Sequence, residues 1–190
     1  MTENESYDRD YWFNQIEKHG NVNDYGTDYY AYKLFDHIIT KIKDIPNGKI
    51  VVMGTHNCVS FDLLCRHFGY DRCVGYDIDN PTNHPNVIVK NVMDLTEEDM
   101  FPIAFVHNDI GNFQLTPKAK MYAQFWAAKC VVTGGYFLGR TNVNHANYDL
   151  ESSMNFLGFE NYNLSIASAF IDTSEVRKED LIYHMLSKKK

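Results

Sequence analysis

Apolar and polar residues alternate along this chain with two different periods. Short apolar runs rich in β-branched residues, such as Ile50–Met53, have the length and composition of strands buried on both faces of a parallel sheet. Similar runs predict strands at residues 73–76, 87–89 and 103–107. A fifth strand is predicted to begin at Val131-Val132 and to be interrupted by Gly134-Gly135. Two later segments, at about 163–170 and 181–186, predict a closing antiparallel hairpin.

The segments between these strands carry apolar residues at spacings of three and four, which is the period of a helix. Ser60 is the predicted N-cap of one such helix, and Gly69 its end. Thr116-Pro117 opens another helix as N-cap and first-turn proline. Further helices are predicted at residues 7–20, 27–44 and 150–157, the last ending at Gly158.

Strands that alternate with helices predict an α/β fold of three layers, with helices on both faces of a mostly parallel sheet of about seven strands. All 190 residues are interpreted as one domain, with N-terminal helices over 1–48 and the sheet core over 49–190. Ligands of such sheets bind beyond the carboxyl ends of the strands, where the strand order reverses. The candidate site residues are therefore those that directly follow each strand.

The charge and cysteine content narrow the possible partners. The formal net charge is −7, and the one basic cluster, Lys188–Lys190, is interpreted as a solvated tail, which argues against a nucleic-acid partner. No apolar run reaches the roughly 20 residues of a membrane span, and the polar, acidic N-terminus is not a signal peptide. The four cysteines form no C-x-x-C pair, which indicates reduced core thiols and a cytoplasmic protein.

The first strand, turn, helix and second strand have the outline of a nucleotide-cofactor site. A dinucleotide fingerprint, G-x-G-x-x-G, requires two more glycines after Gly54, but His56 and Val59 stand there and would crowd a pyrophosphate. NAD and FAD are therefore disfavoured. Asp77 lies 23 residues after Gly54, where a carboxylate accepts hydrogen bonds from a ribose diol. The alternative interpretation of Asp77 is a solvated acid at a strand end.

The turn G-T-H-N-C-V-S, from Gly54 to Ser60, resembles the first motif of class I S-adenosylmethionine (SAM)-dependent methyltransferases in the form E-x-G-T-x-x-G-x-S. Val52 replaces the acid of that motif, and Cys58 replaces its later glycine. Y-D-I-D at 76–79 is similar to the second motif, and N-V-M-D-L at 91–95 to the third.

The resemblance implies a Rossmann-like methyltransferase fold and SAM as cofactor. It implies that cofactor contacts come from Gly54, Thr55, His56, Asn57, Asp77, Ile78, Asn91, Val92, Met93, Asp94 and Asn108.

Asp109, Thr116 and the glycine pair resemble the macrocin-type O-methyltransferases more closely, although Lys118 is displaced by one residue. That resemblance implies a small-molecule acceptor with oxygen as the acceptor atom. The acids that hold a metal in those enzymes are replaced here by the sequence Y-F-L-G-R after the glycines, so no metal is expected.

Three residues are candidates for contact with the acceptor or for catalysis: Asp109, His107 and His145. Strand alternation lets only some residues at the end of the fourth strand face the site, so His107 is equally interpreted as a buried strand histidine. The tyrosine-rich segment before the first strand offers Tyr25, Tyr29 and Tyr30 for stacking on a substrate, or for packing on the sheet.

Two functions from different classes are compatible with these features. The first is a SAM-dependent methyltransferase of a small molecule, which in enzymes of this size often works as a homodimer. The alternative is a regulatory or partner protein that binds SAM, or no cofactor, on the same scaffold. Val52 and the altered turn favour this alternative.

Overall fold

The computed structural model describes residues 35–36, 38–55, 58–110, 117–142, 154–164 and 182–190. Several predicted features lie outside these ranges. They include the helix at 7–20, the three N-terminal tyrosines and the loop that carries His145.

Seven strands form one sheet in the order β3-β2-β1-β4-β5-β7-β6. Their bounds are β1 Lys49–Met53, β2 Cys73–Asp77, β3 Val87–Val89, β4 Ile103–Asn108, β5 Val131–Asn142, β6 Phe159–Leu164 and β7 Ile182–Lys189. The first five strands pair in parallel, and β7 runs antiparallel to both β5 and β6. This arrangement confirms the predicted α/β fold with a mostly parallel sheet and an antiparallel C-terminal hairpin.

Helices cover both faces of the sheet. They include α1 (Val59–Phe68), α2 (Glu97–Met100) and α3 (Pro117–Cys130), with a short 3₁₀ helix at Val92–Asp94. Val52 of β1 packs in the core beside α1, whereas its neighbours Val51 and Met53 pack in the core beside α3. Because successive strand residues point to opposite faces, the apolar run of β1 supplies both cores at once. None of the described helices is long and apolar enough to cross a membrane.

Several predicted boundaries differ from those in the structure. Helix α1 begins at Val59 with Cys58 as its N-cap, so Ser60 lies inside its first turn. Strand β6 begins at Phe159, four residues before the predicted start at 163, and the predicted residues 165–170 lie outside the described residues. The glycine pair does not interrupt β5. The strand continues through it, and the register to β4 shifts between Ile103 and Phe105.

The C-terminal lysines are not a solvated tail. Lys188 and Lys189 belong to β7, and the Lys189 ammonium donates hydrogen bonds to the carbonyl oxygens of Ala128 (3.3 Å), Lys129 (3.1 Å) and Val131 (2.7 Å). These carbonyls lie at the end of α3 and just beyond it, where a cation is favoured by the helix dipole. Lys189 therefore fastens the last strand to α3.

A polar cluster joins α1 to the loop that follows β2. Asp62 of α1 accepts hydrogen bonds from Arg66 Nε (2.7 Å) and from the Tyr70 hydroxyl (2.6 Å), and His84 Nε2 lies 3.4 Å from its Oδ1. The backbone N–H of Asn86 donates to His84 Nδ1, so Nε2 is the nitrogen that carries the proton toward Asp62. Burial raises the pKa of Asp62, but the hydrogen bonds from Tyr70, Arg66 and His84 outweigh it, and the net shift is downward.

This cluster predicts an acid-sensitive contribution to stability. A lowered folded-state pKa means that the contribution is present above the unfolded value near 3.8 and is lost as pH falls through the lower folded-state value. We expect Asp62→Asn to lower the free energy of unfolding at neutral pH by about 1–2 kcal/mol, because it weakens hydrogen bonds to a charged group.

Denaturant unfolding of wild type and variant, from neutral pH to about pH 3, measures this effect. The difference between the two proteins should shrink in acid. Glu98→Gln, a matched change at an exposed acid of α2, should leave stability unchanged within about 0.5 kcal/mol. A difference for Asp62→Asn that does not vary with pH would contradict the role of its charge.

Candidate functional site

The carboxyl ends of β1, β2 and β4 meet at the centre of the sheet. The strand order reverses at β1, because the chain runs outward to β2 and β3 on one side and to β4 and β5 on the other. Crevices at such switch points bind ligands in open α/β sheets. The residues that follow these three strands therefore form the candidate site.

Gly54 directly follows β1 and opens the first turn. Its φ of 86° is in the left-handed region, and its N–H donates to the Tyr76 carbonyl at 2.8 Å. A Cβ at this position would lie 3.2 Å from Ile110 Cγ1, tighter than an ordinary contact. Both the backbone angle and the approach of the chain after β4 therefore favour glycine here.

Cys58 closes the same turn. Its N–H donates to the Thr55 carbonyl at 2.7 Å, and its φ of 64° is again left-handed. This is the position of the later glycine in the resembled motif. The turn thus keeps a backbone angle typical of glycine, with a buried cysteine in its place.

The left-handed backbone of Cys58 predicts that a glycine variant is more stable than an alanine variant at this position, the reverse of the order inside a helix. In a left-handed conformation alanine is strained by about 1 kcal/mol relative to glycine, so we expect Cys58→Gly to be more stable than Cys58→Ala by about that amount. Cys65, also buried but inside α1, is the matched control. There the alanine variant should have a free energy of unfolding about 1 kcal/mol higher than the glycine variant. Denaturant unfolding of the four variants tests the prediction. The same order at both positions would contradict it.

Asp77 ends β2 with its carboxylate held on both oxygens. Oδ1 accepts the backbone N–H of Ile78 at 2.7 Å, and Oδ2 accepts the Thr55 hydroxyl at 3.4 Å. The side chain is half-buried, so it reaches the surface at the carboxyl edge of the sheet. This geometry suits a carboxylate that accepts hydrogen bonds from a diol.

Two exposed apolar side chains follow the carboxyl ends of β2 and β3. Ile78 is 74% exposed, and Met93 in the 3₁₀ helix after β3 is 37% exposed. Asn91 fixes this helix by accepting the Met93 N–H at 2.9 Å, while Asp94 is exposed and Val92 is buried in the core. Of the predicted cofactor residues in the third motif, Val92 therefore offers no side chain to a ligand.

The end of β4 separates the two predicted catalytic residues that the structure describes. Asp109 is half-buried just beyond the strand, and its N–H donates to the Met53 carbonyl at 2.9 Å. His107 is 1% exposed and pairs with Val52 in β1, so its ring lies on the α1 face of the sheet. Of the two, the geometry favours Asp109 for contact with a ligand and favours the strand interpretation for His107.

Asn108 is buried, and its side-chain oxygen accepts the Ile110 N–H at 3.4 Å. It therefore holds the chain where β4 ends. Val52, which replaces the acid of the first motif, packs in the core beside Phe61 and Phe105. Any contact to the amino group of a cofactor must consequently come from another residue.

The predicted site residues His56, Asn57, His145, Tyr25, Tyr29 and Tyr30 lie outside the described residues. Gly75, which lies inside β2, is a further residue beside the site that was not predicted from the sequence. A Cβ there would lie 2.5 Å from Thr55 Cγ2. The signal was present, since a glycine within a strand often marks a close approach of neighbouring groups.

Several solved structures that share this fold are methyltransferases. A SAM-dependent methyltransferase from Clostridium acetobutylicum superposes with a TM-score of 0.61 at 9% identity, covering 95% of this chain and 97% of that one. The CcbJ methyltransferase from Streptomyces caelestis gives 0.59 at 9% identity, with 93% and 96% covered. The plantazolicin methyltransferase BpumL, crystallised with S-adenosylhomocysteine (SAH), gives 0.56 at 10% identity, with 96% and 94% covered.

No protein-family model matches the chain, and no curated protein matches it. The likeness is therefore one of fold. The seven-stranded sheet, with its parallel core and antiparallel end, is the Rossmann-like fold of class I SAM-dependent methyltransferases.

Proposed function

We propose that this protein binds SAM and transfers its methyl group to a small-molecule acceptor. The observation that carries the proposal is Asp77, a carboxylate oriented on both oxygens at the carboxyl end of β2, beside the left-handed Gly54 turn. SAM has no pyrophosphate, so a turn with a single glycine and a following His56 suits it better than it suits a dinucleotide.

The residues around this point fit the parts of the cofactor. Asp77 is the acceptor for the two ribose hydroxyls, and the exposed side chains of Ile78 and Met93 suit the faces of an adenine. Asn91 and Asp94 are the candidate polar partners of the adenine edge. Gly54 lets the backbone approach the ligand closely, which a side chain at that position would prevent.

When bound, SAM supplies an activated methyl group, so the protein has mainly to orient the acceptor and exclude water. Asp109, at the end of β4, is the proposed anchor or base for the acceptor. The resemblance to macrocin-type enzymes makes oxygen the proposed acceptor atom. A homodimer and a cytoplasmic location belong to the same proposal, the latter supported by four buried cysteines that form no disulfide.

Calorimetric titration of the purified chain with SAM and with SAH tests the proposal. We expect both to bind with micromolar dissociation constants, and NAD, the control, not to bind. Binding of neither SAM nor SAH at millimolar concentration would overturn the proposal. Release of SAH in the presence of hydroxyl-bearing and amine-bearing acceptors would then identify the acceptor atom.

Val52 and Cys58 favour a second candidate, a regulatory or partner protein on the same scaffold. Val52 removes the acid that methyltransferases use at the amino group of SAM, and Cys58 places strain in the cofactor turn. Such a protein would bind SAH as well as SAM, or neither, and would release no SAH with any acceptor class. Turnover with one acceptor class would exclude it.

A further inference from the structure

Thr55 follows Gly54 in the turn, yet its side chain belongs to the interior. Only 5% of the residue is exposed, and its hydroxyl donates to Asp77 Oδ2 at 3.4 Å. A residue that touched the cofactor through its side chain would need a surface that faces the crevice. The direction of this hydroxyl points to a different role.

The Thr55 side chain is held in place by a contact that only glycine permits. Its Cγ2 occupies the space where Gly75 would carry a side chain, because a Cβ built there would be 2.5 Å away. Threonine is β-branched and therefore restricted at χ1, so fixing its methyl group also fixes its hydroxyl. Gly75 and the methyl group together aim the hydroxyl at Asp77.

Donors from two different elements take part in orienting Asp77. The backbone of its own strand end holds Oδ1 through the Ile78 N–H at 2.7 Å, and the turn after β1 holds Oδ2 through Thr55. A carboxylate accepts hydrogen bonds on both oxygens, and a bond on each oxygen restrains its plane. Recognition of a diol by one carboxylate depends on that plane, because both hydroxyls must be met at once.

We propose that Thr55 is a positioning residue that sets the orientation of Asp77 and, through it, the preference of the site for ribose over 2′-deoxyribose. The inference rests on the proposed function, since it assigns Asp77 to the ribose of SAM. It changes the predicted role of Thr55 from direct contact with the cofactor to action through a second residue.

Two variants separate the hydroxyl from the methyl group. Thr55→Val keeps the shape and the contact with Gly75 but loses the donor, and Thr55→Ser keeps the donor but loses the methyl. Calorimetry measures the affinities of each for SAH and for its 2′-deoxyribose analogue. We expect Thr55→Val to bind SAH about 10-fold more weakly, with little change for the deoxy analogue, and Thr55→Ser to recover most of the loss.

The same substitution in an Asp77→Ala background completes a double-mutant cycle. Because Thr55 acts through Asp77, Thr55→Val should have no further effect there. An equal loss for both ligands, or an undiminished loss in the Asp77→Ala background, would overturn the inference in favour of a structural role. If the wild type binds SAH and Thr55→Val keeps the same preference for ribose, the inference is overturned but the proposed function is not. Absence of SAH binding by the wild type would instead overturn the proposed function as well.

Discussion

Replacing Asp77 by alanine should weaken the binding of SAH by about 100-fold. The carboxylate is the proposed acceptor for two ribose hydroxyls, and hydrogen bonds to a charged group contribute about 1.5–3 kcal/mol each. At the lower end of that range, the loss of two such bonds amounts to about 3 kcal/mol, which is roughly two orders of magnitude in the dissociation constant. Asp77→Asn, which keeps one acceptor oxygen and the shape of the side chain, should fall between alanine and wild type.

Asp79 provides a matched control two residues further along. It is exposed beyond the strand, and its Oδ1 accepts the N–H of Asn80 at 2.7 Å. Asp79→Ala removes the same charge from the same loop, so we expect a change in SAH affinity of no more than about 2-fold. Calorimetry of both variants separates a specific contact from a general loss of negative charge. Equal effects at the two positions would refute the assignment of Asp77 to the ribose.

Replacing Gly135 by alanine should lower the free energy of unfolding by about 3 kcal/mol, because it forces a methyl group into a closely packed backbone. The new Cβ would lie 2.8 Å from the Ala104 carbonyl oxygen, 2.8 Å from Val131 Cγ1 and 2.9 Å from the Val132 carbonyl oxygen. Two of these atoms belong to the backbone of β4 and β5, which cannot yield as a flexible side chain does. Thermal unfolding should show a melting temperature lower by roughly 10 °C.

The neighbouring Gly134 is the matched control, because glycine is favoured there by the backbone angle and not by close packing. Its φ is +78°, but a Cβ there would have no neighbour within 4 Å among the described residues. Gly134→Ala should therefore cost only the strain of a left-handed alanine, about 1 kcal/mol. Equal destabilisation by the two variants would show that β4 and β5 do not approach as closely as the structure indicates.

This glycine pair shows where prediction from the sequence reached its limit. The pair matched a motif and was interpreted as an interruption of the fifth strand. In the structure the strand continues, because Gly135 allows β5 to pass close to Ala104 while the register shifts by several residues. A register is set by both strands together, so one strand's residues do not reveal it.

The start of α1 was mispredicted for a related reason. Ser60 has a side chain well suited to an N-cap, but the turn from Thr55 to Cys58 closes through a backbone hydrogen bond and fixes the helix start two residues earlier. That turn is positioned by β1 and by the chain after β4. Tertiary contacts therefore set the start of the helix, and the N-cap preference of Ser60 does not. The same limit explains Lys189, whose three partners lie about sixty residues away along the chain.

The sequence by itself determined the features that depend on local periodicity. The apolar run of β1 is buried on both faces, so its limits stand out in the sequence, and the spacing from Gly54 placed Asp77 at a strand end. The tertiary structure alone decided which groups surround that carboxylate. Thr55 reaches Asp77, and Gly75 makes room for Thr55, only because β1 and β2 pair in one particular register. Contacts of that kind depend on distances between segments, which the order of residues within each segment does not contain.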